Sequence, residues 1–189
     1  MNKTVPELVE SFVEGDQKAF AELVDRYKKK LYSLAFHILR NHLDADEVVQ
    51  ETFVRVYKRR EELIHVNYFS TFLTRIATNY SIDLLRKQKN RQAVPDDTNS
   101  LPGFIQLDLS RRVVTPSQKF ENKELMEEIQ RALESLPARQ RATAVLHDIE
   151  GYSKAEIAKI FDCPQATVRS NLHIARAKLR KILKGRLIR

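Results

Sequence analysis

Apolar residues recur every three or four positions through most of the chain, and no stretch alternates as a half-buried strand would. That period predicts an all-α protein. Thr4-Val-Pro-Glu7 has the form of a capping box and opens a first short helix, which Gly15 ends. Asp16 caps a second helix, whose stripe Phe20, Leu23, Val24, Tyr27, Leu31, Leu34, Ala35 and Ile38 keeps helical spacing. After a turn at Asn41-His42-Leu43, Asp44-Ala-Asp-Glu47 restarts a helix with Val48, Phe53, Val56 and Tyr57 inward. The charged connector Lys58 to Glu62 leads to a fourth helix, from about Ser70 to Lys89, with Phe72, Leu73, Ile76, Tyr80 and Leu84 as its buried stripe.

The periodicity then fails. Between Arg91 and Gln118 come Pro95, Asp96-Asp-Thr-Asn-Ser100, Pro102-Gly103 and Thr115-Pro116, the punctuation of a flexible linker. The expected organisation is a helical domain over residues 1–91, a linker over 92–118 and a second small helical domain over 119–189. In the second, Leu125, Ile129, Leu133 and Leu136 line one face. Pro137 suits the first turn of a helix running through Val145 and Leu146 to the neighbourhood of Gly151.

The C-terminal stretch carries the most specific local pattern. Ser153-Lys-Ala-Glu156 is a second capping box, which starts a helix ending near Phe161. Asp162-Cys163 makes a tight turn, and Pro164 opens a longer helix. Short helix, turn and longer helix form the helix-turn-helix outline, whose second helix enters the DNA major groove. At about 100° per residue, Val168, Leu172, Ala175, Leu179 and Ile182 face the core. Arg169, Ser170, His173, Ile174, Ala177 and Arg180 face away.

Charge sharpens this picture. The chain holds 33 Lys+Arg against 25 Asp+Glu, a net +8, which favours a polyanionic partner. The excess is greatest at the end: from Arg169 onward there are eight basic residues and no acid. A helix that is merely solvated would include acids to pair with its cations. Hydrogen-bonding side chains mixed with unpaired cations are what base edges and phosphates require.

Other chemistry is not supported. Cys163 is the sole cysteine, which excludes an intramolecular disulfide and a multi-cysteine metal site, and it reads as a small hydrophobe at a turn. His37, His42, His65, His147 and His173 form no close metal-ligand pair and no catalytic signature. No metal, cofactor or catalytic residue is therefore expected, and the chain reads as no enzyme. No apolar run approaches the ~18 to 20 residues of a membrane span, and Met1-Asn-Lys-Thr-Val-Pro-Glu7 lacks the apolar core of a signal peptide. A cytoplasmic protein without membrane insertion is expected.

Two ordered sets of motifs resemble a known family. Gly15-Asp-Gln-Lys-Ala-Phe-Ala-Glu-Leu-Val24, Asp44-Ala-Asp-Glu-Val-Val-Gln-Glu-Thr-Phe-Val-Arg-Val-Tyr57 and Phe69-Ser-Thr-Phe-Leu-Thr-Arg-Ile-Ala-Thr-Asn79, with Asp83 and Arg86-Lys87, are similar to consecutive sigma-2 motifs. Leu136-Pro137, Gly151-Tyr-Ser153, Glu156-Ile-Ala158 and Ala166-Thr-Val-Arg-Ser170 are similar to sigma-4. Together they resemble the extracytoplasmic-function (group 4) sigma factors of bacterial RNA polymerase, which have only these two domains.

The resemblance implies a task for each segment. Asp46, Glu47, Gln50 and Glu51 would dock on the β′ clamp helices of core RNA polymerase, with the β flap as a second contact. Phe69, Ser70, Arg75, Asn79, Arg86 and Lys87 would hold the separated minus-10 strand, with cations on phosphates and a loop residue against an extruded base. Thr167, Arg169, Ser170, His173, Arg176 and Arg180 would read the minus-35 duplex. An anti-sigma factor packed between or around the domains is a further implied partner. A stand-alone helix-turn-helix regulator is the alternative; it would bind duplex half-sites as a dimer without polymerase. This chain departs from the family's usual residues at Phe72, where tryptophan is common, at Ala166, where glycine is, and at Asn171 and Ile174, where arginines are.

Overall fold

A computed structural model describes residues 3–65, 68–92, 128–129 and 131–184. Among them the regular structure is helical throughout: α1 (Val5–Val13), α2 (Gln17–Leu39), α3 (His42–Lys58), a 3-10 segment (Arg60–His65), α4 (Phe69–Gln92), α5 (128–129 and 131–134), α6 (Ala138–Ala144), a π-helical turn (Val145–Ile149), α7 (Lys154–Phe161) and α8 (Gln165–Lys184). The linker expected over 92–118 lies outside the described residues apart from Gln92, and so does Leu125.

Local chemistry explains most helix starts. The Thr4 N–H and hydroxyl donate to the Glu7 carboxylate at 2.6 and 2.8 Å, and Gly15 takes φ +105° to end the first helical hairpin arm. Asp16 Oδ1 accepts from the amides of Lys18 and Ala19, the expected cap of α2. The α2–α3 connection is shorter than expected. Arg40 takes a left-handed conformation, and Asn41 rather than Asp44 is the cap: its Oδ1 accepts from the amides of Leu43 and Asp44 at 2.8 and 3.2 Å. Asparagine tolerates turns and caps equally well, so the residue that looks like turn material starts the helix.

Helices α1 to α4 enclose a core centred on α2, whose Leu23, Leu31, Leu34, Ala35 and Ile38 are buried. Val48, Phe53 and Val56 of α3 close it as expected, but Tyr57 is 42% exposed, its ring tilted against Phe12 and edge-on to Phe20. The buried face of α4 also differs from the expected stripe. Leu73 is inside, whereas Phe72, Ile76, Tyr80 and Leu84 are half-buried. The interior positions are instead Ala77, Ile82 and three small hydroxyl residues, Thr74, Thr78 and Ser81. Thr74 and Ser81 donate to the carbonyls of Ser70 and Ala77 one turn back, at 2.9 and 2.8 Å. Those bonds remove most of the desolvation cost of a hydroxyl in a core.

The second half is smaller. Leu133, Leu136, Ala144 and Ala175 form one cluster, with Ile129 and Leu179 packed against it. Leu146, Ile157, Ile160, Val168 and Leu172 belong instead to a core that continues into the first half. Ile182 is 41% exposed, so the apolar stripe of α8 stops at Leu179. Pro137 is the N-cap of α6 rather than its first turn. The helix after it widens into the π turn, where the Glu150 amide donates to the Val145 carbonyl at 3.0 Å, before Gly151 (φ +76°) breaks it.

Helix α4 packs against α6 and α7 as well as against α2 and α3, which brings the halves together. Tyr152 is the centre of that seam. Its hydroxyl lies 2.9 Å from the Thr74 hydroxyl, with both residues buried, and Lys30 Nζ sits 5.2 Å from its ring centre. Around it His37 Nδ1 lies 2.9 Å from Glu150 Oε1, and Arg75 lies 3.7 Å from Asp162.

Candidate nucleic-acid interface

The helix-turn-helix is built by its caps. The Ser153 hydroxyl accepts from the Glu156 amide at 3.2 Å, and Glu156 Oε2 accepts from the Ser153 amide at 2.8 Å. The Ser153 hydroxyl first, and the Ser153 amide after it, stabilise the Glu156 carboxylate and hold that carboxyl below its ordinary 4.5. Asp162 enters the left-handed region at φ +50°, the Cys163 amide closes on the Ala158 carbonyl at 3.0 Å, and the Thr167 amide bonds the Pro164 carbonyl at 3.0 Å. Val168, Leu172 and Ala175 then anchor α8, all at most 2% exposed.

That anchoring fixes what faces outward. Thr167, Arg169, Ser170, His173, Arg176 and Arg180 are all exposed, Thr167 and Arg176 in addition to the face that helical spacing turns outward. Arg169, His173, Arg176 and Arg180 line one open cleft of about 410 Å³ together with Lys154, Leu172 and Ala177. Lys154 joins them from outside the helical pattern of α8: it sits at the first position of α7, and only the fold of the turn brings it to the cations of α8. Ile174 is exposed on the same helix, at 38%. The expectation that the cations here lack acidic partners fails at one position. Arg176 donates from Nε to Asp148 Oδ2 at 3.3 Å and from Nη2 to Asp148 Oδ1, and that carboxylate raises the arginine's pKa. The acid comes from the π turn, not from α8.

A second polar surface lies on α3 and α4. Asp46, Glu47 and Gln50 are exposed and Glu51 is half-buried, on the side of α3 opposite Val48 and Val56. Glu47 accepts from the Tyr80 hydroxyl at 2.5 Å, which with burial pushes the Tyr80 pKa up to about 12. Arg55 donates to Glu51 at 2.7 Å and lies 4.9 Å from the Tyr80 ring centre. Two of the four acidic-face residues are thus fixed in place by α4 and their own helix.

The minus-10 set is brought together only in part. Arg75, Asn79, Arg86 and Lys87 are exposed along α4, Arg86 lying 3.7 Å from Asp83. Phe69, expected at a loop against an extruded base, is 5% exposed and packs edge-on to Tyr27, so it belongs to the core. Its neighbour Tyr68 is the exposed ring, at 69%, with Lys159 of α7 5.6 Å from its centre. Ser70 is half-buried. Arg75 faces Asp162 in the turn of the helix-turn-helix, so part of this surface lies against the second half.

Two family models match the chain, in order: Sigma-70 region 2 over residues 23–91 and Sigma-70 region 4 over residues 126–179. The ECF RNA polymerase sigma factor SigW of Bacillus subtilis is 34% identical over 185 residues, covering 97% of this chain and 99% of that protein. The chain belongs to the ECF sigma factors. The ECF sigma-E factor of Escherichia coli K12 is 36% identical over 170 residues, covering 89% of this chain and 88% of its own length. Among solved structures, CnrH in complex with the cytosolic domain of CnrY superposes with a TM-score of 0.66 at 26% identity, over 95% of this chain and 96% of that one. The sigma factor RpoE of Bartonella quintana, in complex with the anti-sigma factor NepR, shares the fold at TM-score 0.63 and 20% identity, over 88% and 98%.

Region 2 takes in α3 and most of α2 and α4; region 4 takes in the helix-turn-helix as far as Leu179. As an ECF sigma factor the protein acts with core RNA polymerase in promoter-specific initiation of transcription, and the regulator working without polymerase is not favoured. No helix among the described residues is long and apolar enough to cross a membrane.

Proposed function

We propose that the two sigma regions divide promoter recognition between them, with residues 1–91 docking on core polymerase and taking the minus-10 strand, and residues 119–189 reading the minus-35 duplex. The observation that carries this reading is the cleft of cations and hydrogen-bonding side chains on α8 and α7, in a chain that also carries region 2. Asp46, Glu47, Gln50 and Glu51 meet the β′ clamp helices, and region 4 meets the β flap. Arg75, Asn79, Arg86 and Lys87 hold strand phosphates and bases, with Ser70 at the edge of the connector and Tyr68 as the ring that an unstacked base can reach. Capturing single-stranded bases better than paired ones drives strand opening, because only differential affinity shifts an equilibrium. RNA synthesis itself belongs to the polymerase, and the protein works in the cytoplasm where that enzyme is.

A protein partner that holds the factor in reserve fits the same reading. CnrH, similar over nearly its whole length, is solved with the cytosolic domain of CnrY, and RpoE of the same fold with an anti-sigma factor. The seam around Tyr152 also bears on mechanism, since it sets Asp162 and Lys159 against Arg75 and Tyr68. Promoter binding requires that this seam part.

Purified chain added to core polymerase should support run-off transcription from promoter fragments carrying both elements. Tight DNA binding alone, with no start site directed on core polymerase, would overturn the assignment. Within it, Arg169→Ala should weaken binding to the minus-35 duplex by roughly 1 to 3 kcal/mol if the guanidinium meets a base edge. Unchanged affinity in a gel-shift titration of the holoenzyme would remove Arg169 from the reading set.

A further inference from the structure

Asp148 belongs to none of the residue sets assigned above, yet it is the acid that α8 meets. It lies on the π turn that precedes the helix-turn-helix, twenty-eight positions before its partner, and its carboxylate grips the Nε and Nη2 edge of Arg176. Among the described residues, Lys154, Arg169 and Arg180, which share the cleft, make no ion pair. The pair is partly exposed, at 47% for Arg176 and 37% for Asp148, and an exposed pair of that kind adds little to stability. On a surface built to meet a polyanion, a carboxylate also repels phosphate. Both facts leave its placement unexplained by folding alone.

The geometry of the guanidinium explains it. Arginine has five N–H donors in a rigid fork; Asp148 takes the edge that carries Nε, which leaves the Nη1 donors and one on Nη2 without a protein partner among the described residues, on a side chain that lines the cleft. A free arginine must give up rotamer freedom when it docks on a base, and one already held gives up less. We propose that Asp148 is a positioning residue for minus-35 recognition, orienting Arg176 so that its open edge meets a base or phosphate. This rests on the assignment of α8 to the minus-35 element. Asp148 trades nonspecific attraction for discrimination.

The test uses full-length protein assembled with core polymerase. A minus-35 duplex is first selected by the wild-type holoenzyme from a randomised library; its affinity is then compared with that of a scrambled duplex for wild type, Asp148→Ala, Asp148→Asn, Arg176→Ala and the double alanine variant. Asp148→Ala should lower the selected-to-scrambled ratio several-fold while scrambled DNA binds as well or better, since a negative charge has gone. Asp148→Asn, which keeps one acceptor, should lie between, and the double variant should be no worse than Arg176→Ala. If Arg176→Ala lowers the ratio and Asp148→Ala leaves it unchanged or raises it, Asp148 does not position the arginine and the inference fails while α8 keeps its role. If the wild type selects no minus-35 sequence, the assignment of α8 itself is overturned. Circular dichroism melts of each variant separate a lost contact from a lost fold.

Discussion

At the scale of single residues, the cap of α7 has the clearest expected effect. Ser153→Ala removes the acceptor of the Glu156 amide and the hydroxyl that lowers the Glu156 pKa most, leaving that carboxylate with only the Ser153 amide. The expected loss is about 1 kcal/mol, measured by urea denaturation near neutral pH. Its pH dependence has a definite sign. The folded-state pKa of Glu156 lies below 4.5, so its contribution is present above that value and disappears as pH falls through the lower folded-state one. The Ser153→Ala penalty should therefore shrink in acid, and a penalty constant down to the acid transition would show that Glu156 plays no part. Both capping boxes are legible in the sequence because their partners are three residues apart. Phe69 is not: its neighbours in sequence place it at a loop, and only Tyr27 on α2 encloses it. Asp148 is likewise hidden, since the composition of α8 cannot reveal an acid delivered from another helix.

At the scale of elements, apolar spacing identifies the faces of helices more readily than their limits. The stripe on α2 is buried at Leu23, Leu31, Leu34, Ala35 and Ile38 and half-buried at Phe20, Val24 and Tyr27, whereas on α4 the inward positions include Thr74, Thr78 and Ser81, which a search for apolar residues passes over. Tyr57 and Ile182 mark the opposite error: the helical period continues where the partner surface has ended. On α3 the period does separate two faces cleanly, with Val48 and Val56 inside and Asp46, Glu47 and Gln50 outside. Since Asp46 and Gln50 support no core contact, reversing them to lysine should spare the fold and act on partner binding. Asp46→Lys with Gln50→Lys should weaken assembly with core polymerase at least tenfold by size-exclusion or fluorescence titration, with an unchanged melt. Normal holoenzyme formation would separate this face from the docking surface.

At the scale of the whole molecule, the proposed division of the promoter between the two halves sets a distance that they must span. Elements named minus-35 and minus-10 lie roughly 25 base pairs apart, on the order of 85 Å at about 3.4 Å per step. In this structure the turn between α7 and α8 instead faces α4, with Arg75 3.7 Å from Asp162. Glu150→Gln with Tyr152→Phe should loosen that contact without emptying it, because Thr74 keeps its bond to the Ser70 carbonyl. Dyes on α1 and α8 should then report a larger mean separation than in the wild type, and equal transfer efficiencies would show that the seam does not govern the arrangement.

The Thr74–Tyr152 pair also sets a competition that does not depend on how much protein the cell contains. The two hydroxyls belong to one chain, and covalent tethering presents one domain to the other at an effective concentration on the order of millimolar. Any ligand for the covered part of α4 therefore meets a rival that dilution cannot remove. Its apparent affinity is its intrinsic one reduced by the fraction of molecules already open. Weak, accidental binders of α4 are filtered out by this rivalry. A partner that grips both halves at once, and so stabilises their separation, escapes it.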